Sequence, residues 1–384
     1  MVIEIGGTFV LVFEIPSRVF FGQAAANQIG SIVRTFNIQA ALIVCDQGVK
    51  AAGIMTPILL SLEEAEVTVN VFDKVTANPS DSLIAEAVEY ARNLSVDIVI
   101  AVGGGSSLDA AKAINILLTN DGPIQRYEGI DQVKRQTLPL IAIPTTSGTG
   151  SEVTSFSIIT DSENKRKMVI GGKFVGATIA VLDPELTIKL PPAITAATGM
   201  DAMTHAIEAY FSTNASVMSD VNALKAIELL YENLEIAVKN GSDIAAREAV
   251  MLGSMLAGFA FNSALLGLAH AIAHPLGALY NIPHGVANAM VLPHVVAFNG
   301  QGNEDKIINI GRAMNLADGE LSADQIAKKI DELNARISIP RLNQYIQKSD
   351  FALIVSDALV EPSLMTNPRK VKSQDILYIL ENAF

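Results

Sequence analysis

The chain carries two kinds of apolar pattern and changes from one to the other once. Along the first half, short apolar runs end in polar turns and are followed by apolar residues at helical spacing. QAALIVCD (residues 39–46) reads as a buried strand, since a short continuous apolar run bounded by turn signals fits a strand covered on both faces. A helical pattern follows to about Glu64, and VTVNVF (residues 67–72) reads as the next strand. Helical spacing returns over residues 82–94. DIVIAVGGG (residues 97–105) is a strand running into glycines, SSLDAAKAINILLT is the helix after it, and LPLIAIPTT (residues 138–146) is another strand. Such alternation predicts a Rossmann-like parallel sheet with helices on both faces. The N-terminal stretch MVIEIGGTFVLVFEIPSRVFFG reads as one or two strands with a turn near Pro16 and Ser17. Its Glu4 and Glu14, with no basic start, argue against a secretory signal.

Near LPP (residues 190–192) the pattern changes. Long helical periodicities follow, over residues 195–211, 216–240 and 244–261 and on to the C-terminus. The expected organisation is therefore an α/β domain over residues 1–190 and an all-helical domain over residues 191–384. Neither internal repeats nor a low-complexity linker interrupts it.

Composition narrows the field. A length of 384 residues suits two or three domains, and with half the residues apolar and 17% charged the chain is not a disordered one. A net charge of −13 leaves no electrostatic footprint for nucleic acid or an anionic membrane surface. Cys45 is the only cysteine, so no internal disulfide can form, which fits a reducing cytoplasm. Residues 249–303 contain no Asp, Glu, Lys or Arg. That stretch is long enough to span a bilayer, but it holds four His, three Pro and five Asn and has no basic flank. Helices buried inside a large domain account for it better.

GGGSSLDAAK, from Gly103, directly follows a strand and opens a helix. Glycines let a ligand approach the backbone, and the helix start offers free N–H groups and a positive dipole end to a phosphate. The spacing is neither G-x-G-x-x-G nor a Walker sequence, so a merely tight strand–helix turn is the competing reading. PTTSGTGSE (residues 144–152) is a second small-residue loop after a strand. Two such loops at the carboxyl ends of parallel strands favour a nucleotide crevice. Asp46, at the end of ALIVCD, could accept hydrogen bonds from a ribose, or could simply cap the next helix.

All five histidines lie between His205 and His294. In GMDAMTHAIEAY, Asp201 and His205 stand four residues apart, as do His270 and His274, so each pair faces one side of a helix. His284 sits between Pro283 and Gly285, a helix or loop start. Burying several imidazoles without partners costs a few kcal/mol each, about 1–3 by mutational data, whereas a metal uses their lone pairs. A carboxylate with several imidazoles suits a divalent transition metal such as Fe(II) or Zn(II). His294 lies ten residues past His284 and suits a structural role.

GGGSSLDAAK, PTTSGTGSEVT, GMDAMTHAIEAY and GLAHAIAHPLGALYNIPHGVANAMVLPH together closely resemble the iron-dependent (group III) alcohol dehydrogenases, with likeness from FFG near Phe21 to TNPR at Thr366–Arg369. The resemblance implies the architecture shared with dehydroquinate synthases: a dinucleotide-binding domain, a helical metal domain and an active site in the cleft between them. It implies metal ligation by Asp201, His205, His270 and His284, and a catalytic, proton-carrying His274 near the substrate. Asp46, Asn78, Gly103, Gly104, Gly105, Ser106, Ser107, Thr145, Thr146, Thr149 and Lys167 fall at the family's cofactor positions, and Asp46 matches an aspartate that favours NAD over NADP. The partner so implied is a small alcohol or its aldehyde, and the assembly a homodimer or larger homo-oligomer. Phe261 is retained in the substrate pocket, Phe156 stands where a diol-specific relative has an asparagine, and Ser363 stands where a cysteine is common. A larger apolar ring predicts short, unbranched primary alcohols. The rival readings are a glycerol dehydrogenase-like zinc enzyme of the same fold, a metal-dependent hydrolase, and a non-catalytic metal-binding scaffold.

Overall fold

The structure, a computed structural model, describes residues 2–5 and 8–384, with side chains from residue 12 onward. Eleven strands run through its first half: β1 (Val2–Ile5), β2 (Thr8–Leu11), β3 (Arg18–Phe21), β4 (Ala40–Asp46), β5 (Thr68–Val75), β6 (Ile98–Gly103), β7 (Gly129–Ile130), β8 (Leu140–Pro144), β9 (Phe156–Asp161), β10 (Arg166–Gly171) and β11 (Ile179–Leu182). Between them lie helices α1 (Ile29–Val33), α2 (Gln47–Ala51), α3 (Thr56–Glu64), α4 (Asp81–Arg92) and α5 (Gly105–Thr119). The helical pattern expected as one piece up to Glu64 is thus two helices with a turn between them. The N-terminal stretch supplies three strands rather than one or two.

Two compact units divide the described residues. Ile15–Thr146 and Ser151–Lys189 form an α/β unit; Leu190–Phe384, with the β1–β2 pair and Ser147–Gly150, form a helical unit. In the α/β unit, six strands make a sheet in the order β3-β11-β8-β6-β4-β5, and every pairing is parallel. The alternation of its side chains separates two cores. Leu42, Val44, Val99 and Ala101 pack into one face with α4 and α5. Ala41, Ile43, Ile98, Ile100 and Val102 pack into the other with α1 and α3. Each fully buried valine, leucine or isoleucine among them contributes about 1.5–3 kcal/mol. This is why the central strands read as unbroken apolar runs. The sheet has one feature that places a ligand: β4 has β5 on one side and β6 on the other, so the order of strands reverses there. The crevice beyond the carboxyl ends of strands at such a reversal is where open parallel sheets hold ligands. A separate three-stranded sheet, β7-β10-β9, was not expected from the sequence; its β9–β10 pair is antiparallel.

The helical unit comprises α6 (Pro192–Phe211), α7 (Val217–Lys239), α8 (Ile244–Ala264), α9 (Leu268–Tyr280), α10 (His284–Gly300), α11 (Glu304–Ala313), α12 (Ala323–Arg336), α13 (Phe351–Ala358) and α14 (Ser373–Ala383). Helix α6 is buried on nearly every face. One core packs α6 against α7, α8, α11 and α12; another packs α9 and α10 against α13 and α14. Helix α8 is long and apolar enough to cross a membrane, yet 67% of its most apolar window is buried inside the protein, as in the core helix of a folded domain.

Candidate metal centre and dinucleotide cradle

Helix α6 supplies the first two candidate ligands. Asp201 and His205 are one turn apart on the same face, and both are buried. His205 Nδ1 donates to the backbone carbonyl of Gly148 at 3.2 Å. A carbonyl can only accept, so this bond fixes the tautomer and leaves the Nε2 lone pair for a cation. The Phe261 ring stacks on His205 with centroids 4.3 Å apart, which places this expected pocket residue directly against the cluster.

Helices α9 and α10 supply the other two, joined by the short connection Asn281–Pro283. Asn281 adopts the left-handed conformation that ends α9, and Pro283 caps the start of α10 at His284. Gly285 lets α10 begin close against α6. A Cβ there would lie 2.1 Å from the Ala197 carbonyl oxygen and 3.2 Å from Asp201 Cβ. No other residue permits this approach, which explains why a glycine follows His284. His270 is fully buried, and its ring lies 4.8 Å from that of His205 and 5.2 Å from that of His284.

The ligand atoms offered by Asp201, His205, His270 and His284 all lie within 4.8 Å of one another. Atoms bonded to one ion at about 2.1 Å can be at most about 4.2 Å apart, so the set is nearly closed on a cation. The tautomers agree with that reading. His270 Nδ1 hydrogen-bonds Glu208 Oε2 at 2.6 Å, so its Nε2 carries the lone pair as well. The donor set therefore fits a divalent metal: one carboxylate and three imidazoles aimed inward. Glu208 also accepts from the backbone N–H groups of Gly267 and Ala269, which ties the start of α9 to α6. Burial pushes the Glu208 carboxyl up to about 7, against the pull of these hydrogen bonds and of His205.

Glu208 was not singled out from the sequence, although GMDAMTHAIEAY places it three residues after His205 and on the same helical face. Asn288, one turn after His284, was missed in the same way; its Nδ2 lies 2.8 Å from Asp201 Oδ1. His274 sits beside the cluster, its ring 5.5 Å from that of His284. Its Nδ1 hydrogen-bonds Glu361 Oε2 at 2.8 Å, and both side chains are partly exposed. Nothing near Glu361 in sequence pointed to it. Ser363 follows on the same short turn, its hydroxyl buried without a hydrogen-bond partner. His294 lies apart from the ligands: burial lowers its pKa, and its Nε2 is buried and unpartnered.

In the α/β unit, Asp46, Gly103–Ser107, Thr145 and Thr146 gather at the sheet reversal, whereas Asn78 and Lys167 lie at the three-stranded sheet. Gly103 ends β6 with φ +150°, and a Cβ there would lie 2.5 Å from Ser107 Oγ. Gly104 precedes α5 as its cap, so the amides of Gly105, Ser106 and Ser107 open the helix. Asp46, at the end of the adjacent β4, does two things at once. Its Oδ1 accepts from Val49 N at 2.9 Å, capping α2, while Oδ2 accepts from Ser107 Oγ at 3.3 Å. The capping reading of Asp46 is therefore real and does not exclude a ribose contact. Thr145 N donates to Gly103 O, and Thr146 packs 3.4 Å from where a Gly104 Cβ would be. Asn78, in the left-handed conformation, accepts from Thr160 Oγ1 through its carbonyl, and Thr160 pairs with Lys167 across β9 and β10. Thr149 belongs to the segment that groups with the helical unit. Phe156 begins β9, and its carbonyl accepts from the buried Lys112 Nζ.

Comparison with known proteins decides the identity of this arrangement. Residues 16–184 match the iron-containing alcohol dehydrogenase model, and residues 195–384 match the C-terminal model of the same Fe-containing alcohol dehydrogenase family. The chain belongs to the iron-containing alcohol dehydrogenase family. It is 39% identical over 374 residues to alcohol dehydrogenase 4 of Saccharomyces cerevisiae, covering 97% of this chain and 98% of that one. It is 36% identical over 377 residues to the NAD-dependent methanol dehydrogenase of Bacillus methanolicus, covering 97% and 99%. A crystal structure of 1,3-propanediol oxidoreductase superposes with a TM-score of 0.94 at 39% identity, covering 98% of this chain and 100% of that one.

The chain is therefore an oxidoreductase of the iron-containing type with a cluster that could hold the metal, and the hydrolase and scaffold readings fall away. A 28% identical structural relative, a sulfoacetaldehyde reductase, is in complex with NAD+. The glycerol dehydrogenase-like alternative gives way to the iron type as well. Its substrates are small alcohols and aldehydes.

Proposed function

We propose that the chain interconverts a short, unbranched primary alcohol and its aldehyde, with the metal held by Asp201, His205, His270 and His284 and the dinucleotide held in the α/β region up to residue 190. The observation that carries this is the convergence of four ligand atoms within 4.8 Å in a charge-poor interior. When bound, the ion makes the alcohol hydroxyl acidic near neutral pH, and the nicotinamide exchanges the hydride.

The chain's own residues do the rest. Glu208 holds the His270 tautomer, and the Gly148 carbonyl holds that of His205. His274, with Nδ1 tied to Glu361, takes the hydroxyl proton at Nε2. Phe261, stacked on His205, keeps water from that side of the cluster. Gly103, Gly104, Gly105, Ser106 and Ser107 cradle the pyrophosphate, Asp46 accepts from the ribose, and Asn78, Thr145, Thr146, Thr149 and Lys167 complete the cofactor contacts. The apolar Phe156 ring disfavours a second hydroxyl, and Phe261 and Ser363 are the other residues assigned to the substrate. A relative named for methanol supports the short-alcohol reading. The assembly is a homodimer or larger homo-oligomer, and the single buried thiol, Cys45, suits the cytoplasm.

The test is a substrate panel with NAD on iron-loaded protein. Propan-1-ol should be oxidised at least about tenfold more efficiently (kcat/KM) than propane-1,2-diol, the scale expected when one hydroxyl enters an apolar pocket. Equal or reversed preference overturns the substrate assignment.

A further inference from the structure

Asn288 has more acceptors around its amide nitrogen than that nitrogen can serve. It is fully buried on α10. Its Nδ2 stands 2.8 Å from Asp201 Oδ1, 3.1 Å from His270 Nε2 and 3.3 Å from His284 Nε2. A carboxamide nitrogen carries two hydrogens, so it cannot satisfy all three at once. The orientation of the amide follows from Asp201: a carboxylate only accepts, so the nitrogen and not the oxygen must face it. Asn288 Oδ1 is left buried without a partner, a loss of about 1–3 kcal/mol that an apolar residue of the same shape would avoid.

The nitrogen explains why that loss is tolerated. The tautomers of His205 and His270 are set from behind, by Gly148 and by Glu208. On the inward side, the carboxylate of Asp201 and the Nε2 lone pair of His270 face one another in a buried space, and Nε2 of the partly exposed His284 stands 3.6 Å from Asp201 Oδ1. Asn288 puts two N–H groups among them. We propose that Asn288 is a positioning residue of the metal centre: its amide keeps Asp201, His270 and His284 aimed at one point before the ion arrives, and it stays bonded to Asp201 Oδ1 once the ion has taken the imidazole lone pairs. The ligands then need no rearrangement to receive a divalent cation. This inference rests on the metal reading above and concerns how the site is held, not what it catalyses.

Co(II) is the probe, because its visible absorption reports ligand geometry independently of turnover. Metal-stripped wild type, Asn288→Leu and Asn288→Ala are titrated against a competing chelator, and uptake is followed by stopped flow. Both variants should bind Co(II) about 10–100-fold more weakly, load more slowly and show a shifted absorption band, with NADH binding unchanged. Asn288→Leu keeps the volume; Asn288→Ala carries the test if the leucine variant does not fold. Wild-type affinity, uptake rate and spectrum in either folded variant overturn the inference alone. Wild-type protein that takes up no Co(II) overturns the metal reading and the inference with it.

Discussion

In the α/β unit the cradle at Gly103–Ser107 is made of backbone, whereas in the helical unit the cluster at Asp201, His205, His270 and His284 is made of side chains. The cradle depends on where β6 stops and α5 starts, on a glycine at φ +150° and on the reversal of strand order beside β4. Many residue types could occupy the positions that only lend an amide. The cluster depends on imidazole and carboxylate at fixed helical spacing, with His205 and His270 held from behind by Gly148 and Glu208 and Asp201 bonded on the inward side by Asn288. Main-chain sites fail when the backbone cannot take its shape. Side-chain sites fail one ligand at a time. The two units should therefore respond to different substitutions, and each should leave the other's ligand in place.

The largest effect is expected on the side-chain site. His284→Ala should lose metal and lower turnover by about 10³-fold or more, the scale of several kcal/mol of lost charge stabilisation, while NADH binding and the circular dichroism spectrum persist. A metal-replete, fully active variant would remove His284 from the ligand set. Glu208→Gln should weaken metal binding by about 10–100-fold, because His270 loses the carboxylate that fixes its tautomer. Chelator competition reads this directly.

What was legible in the sequence follows the same division. The central strands stood out because burial on both faces leaves no polar positions in them. Strands β9 and β10 were missed although FSIITD alternates buried and half-buried residues, the period-two signal of a one-sided sheet. A metal site stood out because several histidines, four of them in an uncharged stretch, are costly to bury without a partner, and the family resemblance then singled out Asp201, His205, His270 and His284. Glu208 and Asn288 did not, since a lone acid or amide on a helix is ordinary until its neighbours in space are known. Glu361 lies 87 residues from His274, and only folding brings them together.

Each unit also buries a glutamate whose carboxyl is pushed up to about 7 by loss of solvent: Glu208 among hydrogen-bond donors, and Glu152 in the α/β unit near the buried Lys112. A carboxyl whose pKa is higher folded than unfolded stabilises the fold at low pH, and that contribution is lost as pH rises through the folded value. For Glu152, with an unfolded value of 4.5, up to about 3 kcal/mol should disappear between pH 4.5 and about 7. Denaturant unfolding of Glu152→Gln should show a flatter pH dependence over that window; an unchanged slope would assign the effect elsewhere.

Smaller effects are expected at the backbone site. Gly103→Ala puts a Cβ 2.5 Å from Ser107 Oγ at a φ that side chains rarely adopt, and should weaken NADH binding about tenfold, with metal content unchanged. Asp46→Gly removes the charge that would repel a 2′-phosphate and should raise the use of NADPH relative to NADH by about tenfold in kcat/KM ratio. An unaltered ratio would take Asp46 out of the ribose site.

If nucleotide and metal are held by separate constructions, turnover needs both while each binds without the other. Titrating Fe(II) under anaerobic conditions into chelator-stripped protein, while following NADH fluorescence and aldehyde reduction in the same sample, tests it most directly. NADH should bind the metal-free protein with its full affinity, and reduction should rise from nothing to its maximum with one iron per chain. Reduction of aldehyde by the stripped protein would show that turnover does not need the metal, and failure of NADH to bind until iron is added would show that the two ligands are not held separately.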